Sequence, residues 1–283
     1  MQGTSNVGHE PFDCCVVIVN YNGGALLQRV RSAAEASTGL RLRLVVVDNA
    51  STDGSIASLL QERAAAAPLP AKEHVLILQC PQNRGFSAGN NLGLFGMAAR
   101  YVLLLNCDAV VEPTTLATLV AFMDSHPTAG ACAPRLCWPN GESQPYSYGG
   151  DPTPLYLFRR LLAHRAGRQL HAWDGRKPKR VDWVAATCIL LRPKALATIG
   201  LLDEGIFMYF EDNDLCLRLR KRGWKIYFVP TTSVRHHNKP SFADRKRRAS
   251  YANGLARFYS RHYGFLAGVG IRVLIRLRRF VSP

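Results

Sequence analysis

The feature that most constrains the fold is an apolar run that breaks off into amides and acids, four times within the first 110 residues. "CCVVIVNYN" is the first: Cys14 to Val19 are apolar without alternation, and Asn20, Tyr21 and Asn22 follow. A strand buried on both faces reads this way, whereas a strand with one wet face alternates. "LRLVVVDNASTDGS" repeats the pattern, with a strand over Leu42 to Val47 running into Asp48 and Asn49. "EHVLILQCPQNRGFSAGNNLG" and "RYVLLLNCDAVVEP" supply the third and fourth strands, ending in Asn83 to Asn91 and in Asn106-Cys107-Asp108. Between them lie helical stretches, over Gly24 to Ala36, after a cap near Ser51 to Asp53, and after the Gly/Asn-rich loop. Strand alternating with helix predicts an α/β fold with a doubly wound, mostly parallel sheet. Ligands of such sheets bind beyond the carboxyl ends of the strands, where all four polar clusters fall.

Residues 138–180 differ in character. They are rich in Pro, Gly, Tyr and Arg and read as a long, partly ordered excursion, a lid or an acceptor-side loop. "VDWVAATCILLRPKAL" then predicts a strand returning to the sheet and a short helix. "FEDNDLCLRLRKRG" predicts a helix stopped at Gly223, and "WKIYFVP" another strand.

Around that helix sit four acids, Glu204, Glu211, Asp212 and Asp214, in a chain whose formal net charge is +16. One reading is a helix start whose acids offset the dipole; the other is a site where one carboxylate takes a proton. Asp212 and Asp214 lie on different faces of a helix, so both cannot serve one acceptor. The positive charge favours polyanionic partners: nucleic acid, an anionic membrane face or phosphorylated substrates. Nothing resembles a specific nucleic-acid motif.

Several chemistries lack their signature. There is no GxGxxG after the first strand and no GxxxxGK[ST]. The eight cysteines show no zinc-like pairing and read as reduced thiols, many of them in strands. The polar start of the chain predicts no signal peptide, and no run reaches the roughly 18 apolar residues a spanning helix needs. The expectation is a cytoplasmic protein, soluble or peripheral on the inner face of the cytoplasmic membrane. Strand ends carrying acids and amides in place of glycine fingerprints suit a nucleotide-sugar site.

Taken in order, "VVIVNYNGGALL", "VVVDNASTDGS", "NRGFSAGNNLG", "LLLNCDAVVEP" and "MYFEDNDLCLRLRKRGWKIYFVP" resemble the family 2 inverting glycosyltransferases of GT-A fold, most closely a rhamnosyltransferase-like branch. The resemblance covers roughly residues 14–241. It implies a Rossmann-like GT-A domain over 14–241, with a nucleotide-binding half (14–112) and an acceptor half (113–241), between an N-terminal tail (1–13) and a basic helical tail (242–283). Asp48 would accept from the N3–H of uracil or thymine, or else serve as a loop or cap carboxylate. Asn20, Tyr21, Asn22 and Asn49 would lie with the donor nucleoside, Tyr21 being equally readable as core. Asn83, Arg84, Gly85 and Asn90 would form a phosphate-side loop, Arg84 pairing with phosphate or simply solvated. Asn106-Cys107-Asp108 stands where the family has DxD. Asp108 would hold Mg²⁺ or Mn²⁺, unless it caps the following helix, and His236, with His237 as the alternative, would be a second ligand. Asp212 would be the general base and Glu211 its neighbour on the acceptor side. Trp183 would stack on an acceptor sugar or belong to the core.

The resemblance implies transfer of a sugar, first L-rhamnose from dTDP-L-rhamnose, to a hydroxyl of a glycan or polyprenyl-diphosphate-linked acceptor. Alternatives are a UDP-sugar-dependent transferase (hexose, GlcNAc or galactofuranose) and a non-catalytic nucleotide-sugar-binding protein. A homodimer is possible. From Arg245 to Pro283 there are ten Lys or Arg and no Asp or Glu. As a helix, this stretch gathers Leu266, Val269, Val273, Leu277 and Phe280 on one face beside Arg272, Arg276 and Arg279. That pattern suits an anionic membrane surface, although Ile271 and Ile275 break the segregation.

Overall fold

A computed structural model describes residues 12–65, 75–96, 98–156, 159, 162, 175–238 and 244–281. The first apolar run forms β1 (Phe12–Asn20), and the next three form β2 (Leu42–Asp48), β3 (Val75–Gln79) and β4 (Ala99–Asn106). They are joined through α1 (Ala25–Glu35), α2 (Ser55–Ala65) and α3 (Gly85–Leu94). All four strands pair in parallel, in the spatial order β3-β2-β1-β4. The lack of alternation is explained by two covered faces. Cys14, Val16 and Ile18 enter a core shared with α1 and α2, while Cys15, Val17 and Val19 enter a second core shared with α3. Each such side chain stabilises the fold by about 1.5–3 kcal/mol relative to an exposed one.

The second half completes the sheet less regularly. The fourth run is two strands: β4 stops at Asn106, Cys107 and Asp108 turn, and β5 (Ala109–Val111) begins. α4 (Thr115–Ser125) and β6 (Ala129–Cys137) follow. "VDWVAATCILL" also divides, into β9 (Trp183–Val184), which pairs with β7 (Tyr148–Gly149) in a separate two-stranded sheet, and β10 (Cys188–Leu191). β10 inserts antiparallel between β4 and β6. The short helix after it is α5 (Pro193–Ala197), and the acidic helix is α6 (Glu211–Lys221). The strand expected over "WKIYFVP" runs on to His236 as β11 (Lys225–His236), irregular between Val229 and Ser233. It pairs with β6, with β5 and with β8 (Lys179–Val181). Part of the 138–180 excursion is therefore ordered as β7 and β8, while residues 163–174 lie outside the described residues.

The basic tail forms two helices, α7 (Asp244–Tyr263) and α8 (Phe265–Val281). They fold against one another, Gly268 leaving no room for a Cβ beside the Ser260 hydroxyl. Phe258 and Tyr259 of α7 are buried with Phe210 and Leu217 in a third core cluster, so α7 packs on the acidic helix. Ile271 packs on that cluster and Ile275 is half-buried, whereas Phe265, Leu266, Val273 and Leu274 face outward. The apparent fault in the helix pattern thus records a second, domain-facing side.

Candidate functional site

The carboxyl ends of β1 and β2 are cross-linked by buried polar side chains. Asn20 is fully buried and donates to Asp48 Oδ1 (3.0 Å), Ser51 Oγ (2.9 Å) and Ser55 Oγ (2.9 Å). Its own oxygen accepts from the Gly23 N–H at 3.2 Å. Asn20 thereby braces Asp48 from beneath, and its amide hydrogens are committed within the protein. Asp48 is 3% exposed, and its second carboxylate oxygen accepts from the Ser51 N–H at 3.3 Å. Asn22, at φ 55, orders the same loop by accepting from the Thr52 N–H at 2.8 Å. In the sequence Ser51 reads only as part of a helix cap, and Ser55 carries no signal of this role.

Asn49 links this loop to the next. It donates to Asn83 Oδ1 and the Gly85 carbonyl and accepts from the Arg84 N–H, each at 3.0 Å. Gly85, at φ 88, is required because a Cβ there would overlap the backbone of Phe207. The Phe86 N–H, in the first turn of α3, donates to the Phe207 carbonyl at 2.7 Å. Ser87 Oγ donates to the Ile206 carbonyl at 2.7 Å. The Arg84 side chain is exposed and ion-paired to Glu204 at 2.9 Å. Asn90 is buried and donates back to the Phe86 carbonyl. Asn91, the last residue of that polar cluster, ties α3 to the Leu202 backbone and to Glu204.

The Asn106-Cys107-Asp108 turn meets the end of β11. Antiparallel pairing sets His236 opposite Ala109, and the His237 N–H donates to the Asp108 carbonyl at 3.0 Å. His236 Nε2 stands 3.3 Å from Asp108 Oδ1, both side chains being about nine-tenths covered. Two donor atoms on neighbouring ligands of an octahedral ion, at about 2.1 Å from it, stand about 3 Å apart, so the pair fits a divalent cation. Among the described residues no cluster of three His, Cys, Asp or Glu could hold a metal. An ion here would therefore fill its shell with phosphate oxygens and water. The Asn106 amide oxygen is buried without a hydrogen-bond partner beside this turn.

The acidic helix begins under strain. Tyr209 (φ 69) and Phe210 (φ 71) are both left-handed, a conformation that costs bulky residues of order 1–3 kcal/mol each. Packing holds it there: Tyr251 of α7 lies against both rings, and Gly254 sits so close to the Tyr209 carbonyl that a Cβ would overlap it. The kink turns Glu211 and Asp212 inward. Burial raises both carboxyls above their ordinary range, Glu211 further because Asp212 is beside it. Asp212 keeps partial exposure and is steadied by N–H groups of Asn213 and Ala186. One Glu211 oxygen is buried without a partner. Ala186 adjoins Thr187, whose carbonyl accepts from the Asn106 N–H at 2.9 Å. Asp212 is thereby linked through Ala186 and Thr187 to the turn that carries Asp108. Asp214, on the other face, is fully buried against Arg218, Arg261 and His262. Trp183 is half-buried, its indole N–H donating to the Gly150 carbonyl at 2.9 Å.

The chain is similar to known proteins. Residues 15–172 match the family described as Glycosyl transferase family 2, and residues 101–281 match Glycosyl transferase family group 2. The N-acetylglucosaminyl-diphospho-decaprenol L-rhamnosyltransferase of Mycobacterium tuberculosis (strain ATCC 25618 / H37Rv) is 30% identical over 271 residues, 89% of this chain and 83% of that protein. Rhamnosyltransferase WbbL of Escherichia coli (strain K12) is 27% identical over 176 residues, 56% of this chain and 64% of that protein. In fold, the chain is similar to GalNAc-T7 crystallised with UDP, GalNAc and Mn²⁺, with TM-score 0.61 at 19% identity, covering 81% of this chain and 44% of that one. The mannosyltransferase PcManGT from Pyrobaculum calidifontis, in complex with GDP-Man and Mn²⁺, aligns with TM-score 0.60 at 17% identity, covering 89% of this chain and 64% of that one. Sheet order, polar strand ends and these matches agree, and the chain belongs to glycosyl transferase family 2, in its rhamnosyltransferase branch.

Proposed function

We propose that this protein is an inverting transferase that moves a sugar, first L-rhamnose from its dTDP-linked form, to a hydroxyl of a lipid-linked or cell-envelope glycan. The observation that carries this reading is the short backbone path from Asp212 through Ala186 and Thr187 to the Asn106–Asp108 turn. It supports the reading of Asp212 as the proton acceptor and of that turn as the side on which a diphosphate would lie. In the proposed step Asp212 takes the proton of the acceptor hydroxyl as that oxygen bonds to the anomeric carbon. The bond from that carbon to the nucleotide diphosphate breaks on the opposite face, inverting the centre. A Mg²⁺ or Mn²⁺ ion at Asp108 and His236 would offset charge on the departing diphosphate. Asp48, braced by Asn20, is assigned the N3–H of a pyrimidine. Glu211, whose carboxyl burial and the adjacent Asp212 push up, is assigned to hydrogen-bond the acceptor, which would answer its unpartnered oxygen.

A thermal-shift series tests this. With Mn²⁺ present, dTDP- and UDP-sugars should raise Tm by a few degrees, as saturating ligand does, and GDP- or ADP-sugars should not. Equal shifts from all four nucleotides would remove the pyrimidine assignment.

A membrane partner is part of the same proposal. The outward face of α8 carries Phe265 and Leu266, 70% and 81% exposed, with Leu274 and the cations Arg272 and Arg276 alongside. Among the described residues no helix is long and apolar enough to cross a membrane. Sedimentation with phosphatidylglycerol vesicles, lost with phosphatidylcholine alone and reduced by Leu266→Glu, is expected. Equal sedimentation with both lipids would count against an anionic surface.

A further inference from the structure

We propose that Gln144 is a positioning residue, which fixes the tautomer of His236 so that its Nε2 lone pair is presented beside Asp108 to a divalent cation. The inference rests on the metal reading above.

Gln144 lies in the stretch after β6 that sequence reasoning left as an excursion. Its backbone N–H donates to the Leu136 carbonyl at 2.8 Å, which anchors it to the end of β6, and the residue is 5% exposed. Two hydrogen bonds join its side chain to a single residue. Gln144 Nε2 donates to the His236 carbonyl oxygen at 2.7 Å, and Gln144 Oε1 stands 2.8 Å from His236 Nδ1.

The first bond orients the amide. A carbonyl oxygen only accepts, so the NH₂ end of Gln144 has to face it, and the oxygen is left facing the imidazole. The second bond then fixes the ring. An amide oxygen also only accepts, so Nδ1 must carry the hydrogen. The remaining ring nitrogen, Nε2, is the one 3.3 Å from Asp108 Oδ1. When Nε2 carries no hydrogen, its lone pair and a carboxylate oxygen facing each other at that distance, both largely covered, are stabilised by a cation that both can ligate. A metal-binding His whose other nitrogen is tied to a fixed acceptor is the usual arrangement around such ions, and loss of that acceptor typically costs about 10–100-fold in metal affinity.

The same two bonds fix the ring in space. His236 sits at the last position of β11, where a strand end frays, and Gln144 clamps both its backbone and its side chain. The clamp comes from a segment that shares no element with β5 or β11, so it acts through His236 rather than on the ion.

The test uses the full chain labelled with ¹⁵N at histidine. With saturating Mg²⁺, long-range ¹⁵N–¹H correlation of His236 should show Nδ1 protonated and Nε2 bare. Gln144→Leu removes both hydrogen bonds. It should shift the ring towards the Nε2–H form in the metal-free protein and weaken Mn²⁺ binding, read by water-proton relaxation, about 10–100-fold. Gln144→Glu keeps an acceptor at Nδ1 and should hold the Nδ1–H tautomer. His236→Ala sets the floor for affinity. If His236→Ala lowers Mn²⁺ affinity but Gln144→Leu changes neither tautomer nor affinity, the inference is wrong and the metal reading stands. If His236→Ala leaves Mn²⁺ affinity untouched, the metal reading itself is lost. Should Gln144→Leu fail to fold, the unaltered protein still decides: a His236 protonated at Nε2 with a bare Nδ1 overturns the proposal.

Discussion

Asp212→Asn is expected to lower the turnover of sugar transfer by about 10²–10⁴-fold, the contribution of a positioned general base, with affinity for the donor nucleotide unchanged. The substitution is nearly isosteric and keeps an acceptor oxygen for the Asn213 N–H, so the helix start stays in place. The unaltered enzyme should also carry a pH signature. Burial raises the Asp212 carboxyl, with the two N–H donors opposing it, and burial and then the Asp212 charge raise Glu211. A base must be ionised to accept a proton, so activity should climb with pH along a limb displaced upward from the ordinary carboxylate value of about 4. That limb belongs to the pair and not to either residue alone. Steady-state kinetics between pH 4 and 9 read both features. Full turnover by the Asn variant would sink the base assignment, and a rate limb near 4 would sink the account of burial.

The second large effect concerns stability. Asp214→Ala should cost about 3–5 kcal/mol, the usual consequence of leaving buried cations without their partner, and lower Tm on the order of 10 °C. Asp214 has no exposed surface and meets Arg218 Nε at 2.8 Å, His262 Nε2 at 2.8 Å and Arg261 at 3.5 Å. Burial alone would raise its carboxyl; the hydrogen bond from His262 and the charges of Arg218 and Arg261 outweigh that and hold it below its ordinary value. A folded-state pKa below the unfolded one gives stability that is present above the unfolded value and lost as pH falls through the folded one. The difference in Tm between the two proteins should therefore shrink below about pH 4. A melt in which the Ala variant equals the parent at neutral pH would contradict the assignment.

These two acids, two positions apart, show what the sequence could and could not convey. The helix, its start and its stop were readable from local pattern, and the opposed faces of Asp212 and Asp214 follow from helical spacing. The reason that one is turned to the site and the other to the interior lies far along the chain, in Tyr251, Gly254 and His262. The four parallel strands were legible because burial on both faces leaves unbroken apolar runs. The antiparallel insertion of β10 between β4 and β6 was not, since four apolar residues carry no record of direction or neighbour. Asn20 and Arg84 illustrate a subtler limit. Residue type and place at a strand end mark them as polar parts of the site, but only the partners show that Asn20 braces Asp48 and that Arg84 meets Glu204. Gln144 had no signal at all, its importance arising entirely from which residue it reaches.

The seating of α7 carries a practical lesson for anyone trimming this protein. Ending the chain after β11 looks attractive, because the sheet and every strand-end acid are complete by then. Such a shortened protein would uncover Phe210 and Leu217, leave Asp203 without Arg257 and Arg261, and leave Asp214 without His262. It would also remove the glycine helix that props the left-handed Tyr209–Phe210 step. The minimal unit for expression or redesign accordingly includes α7 and the inward side of α8, where Ile271 packs on the same cluster.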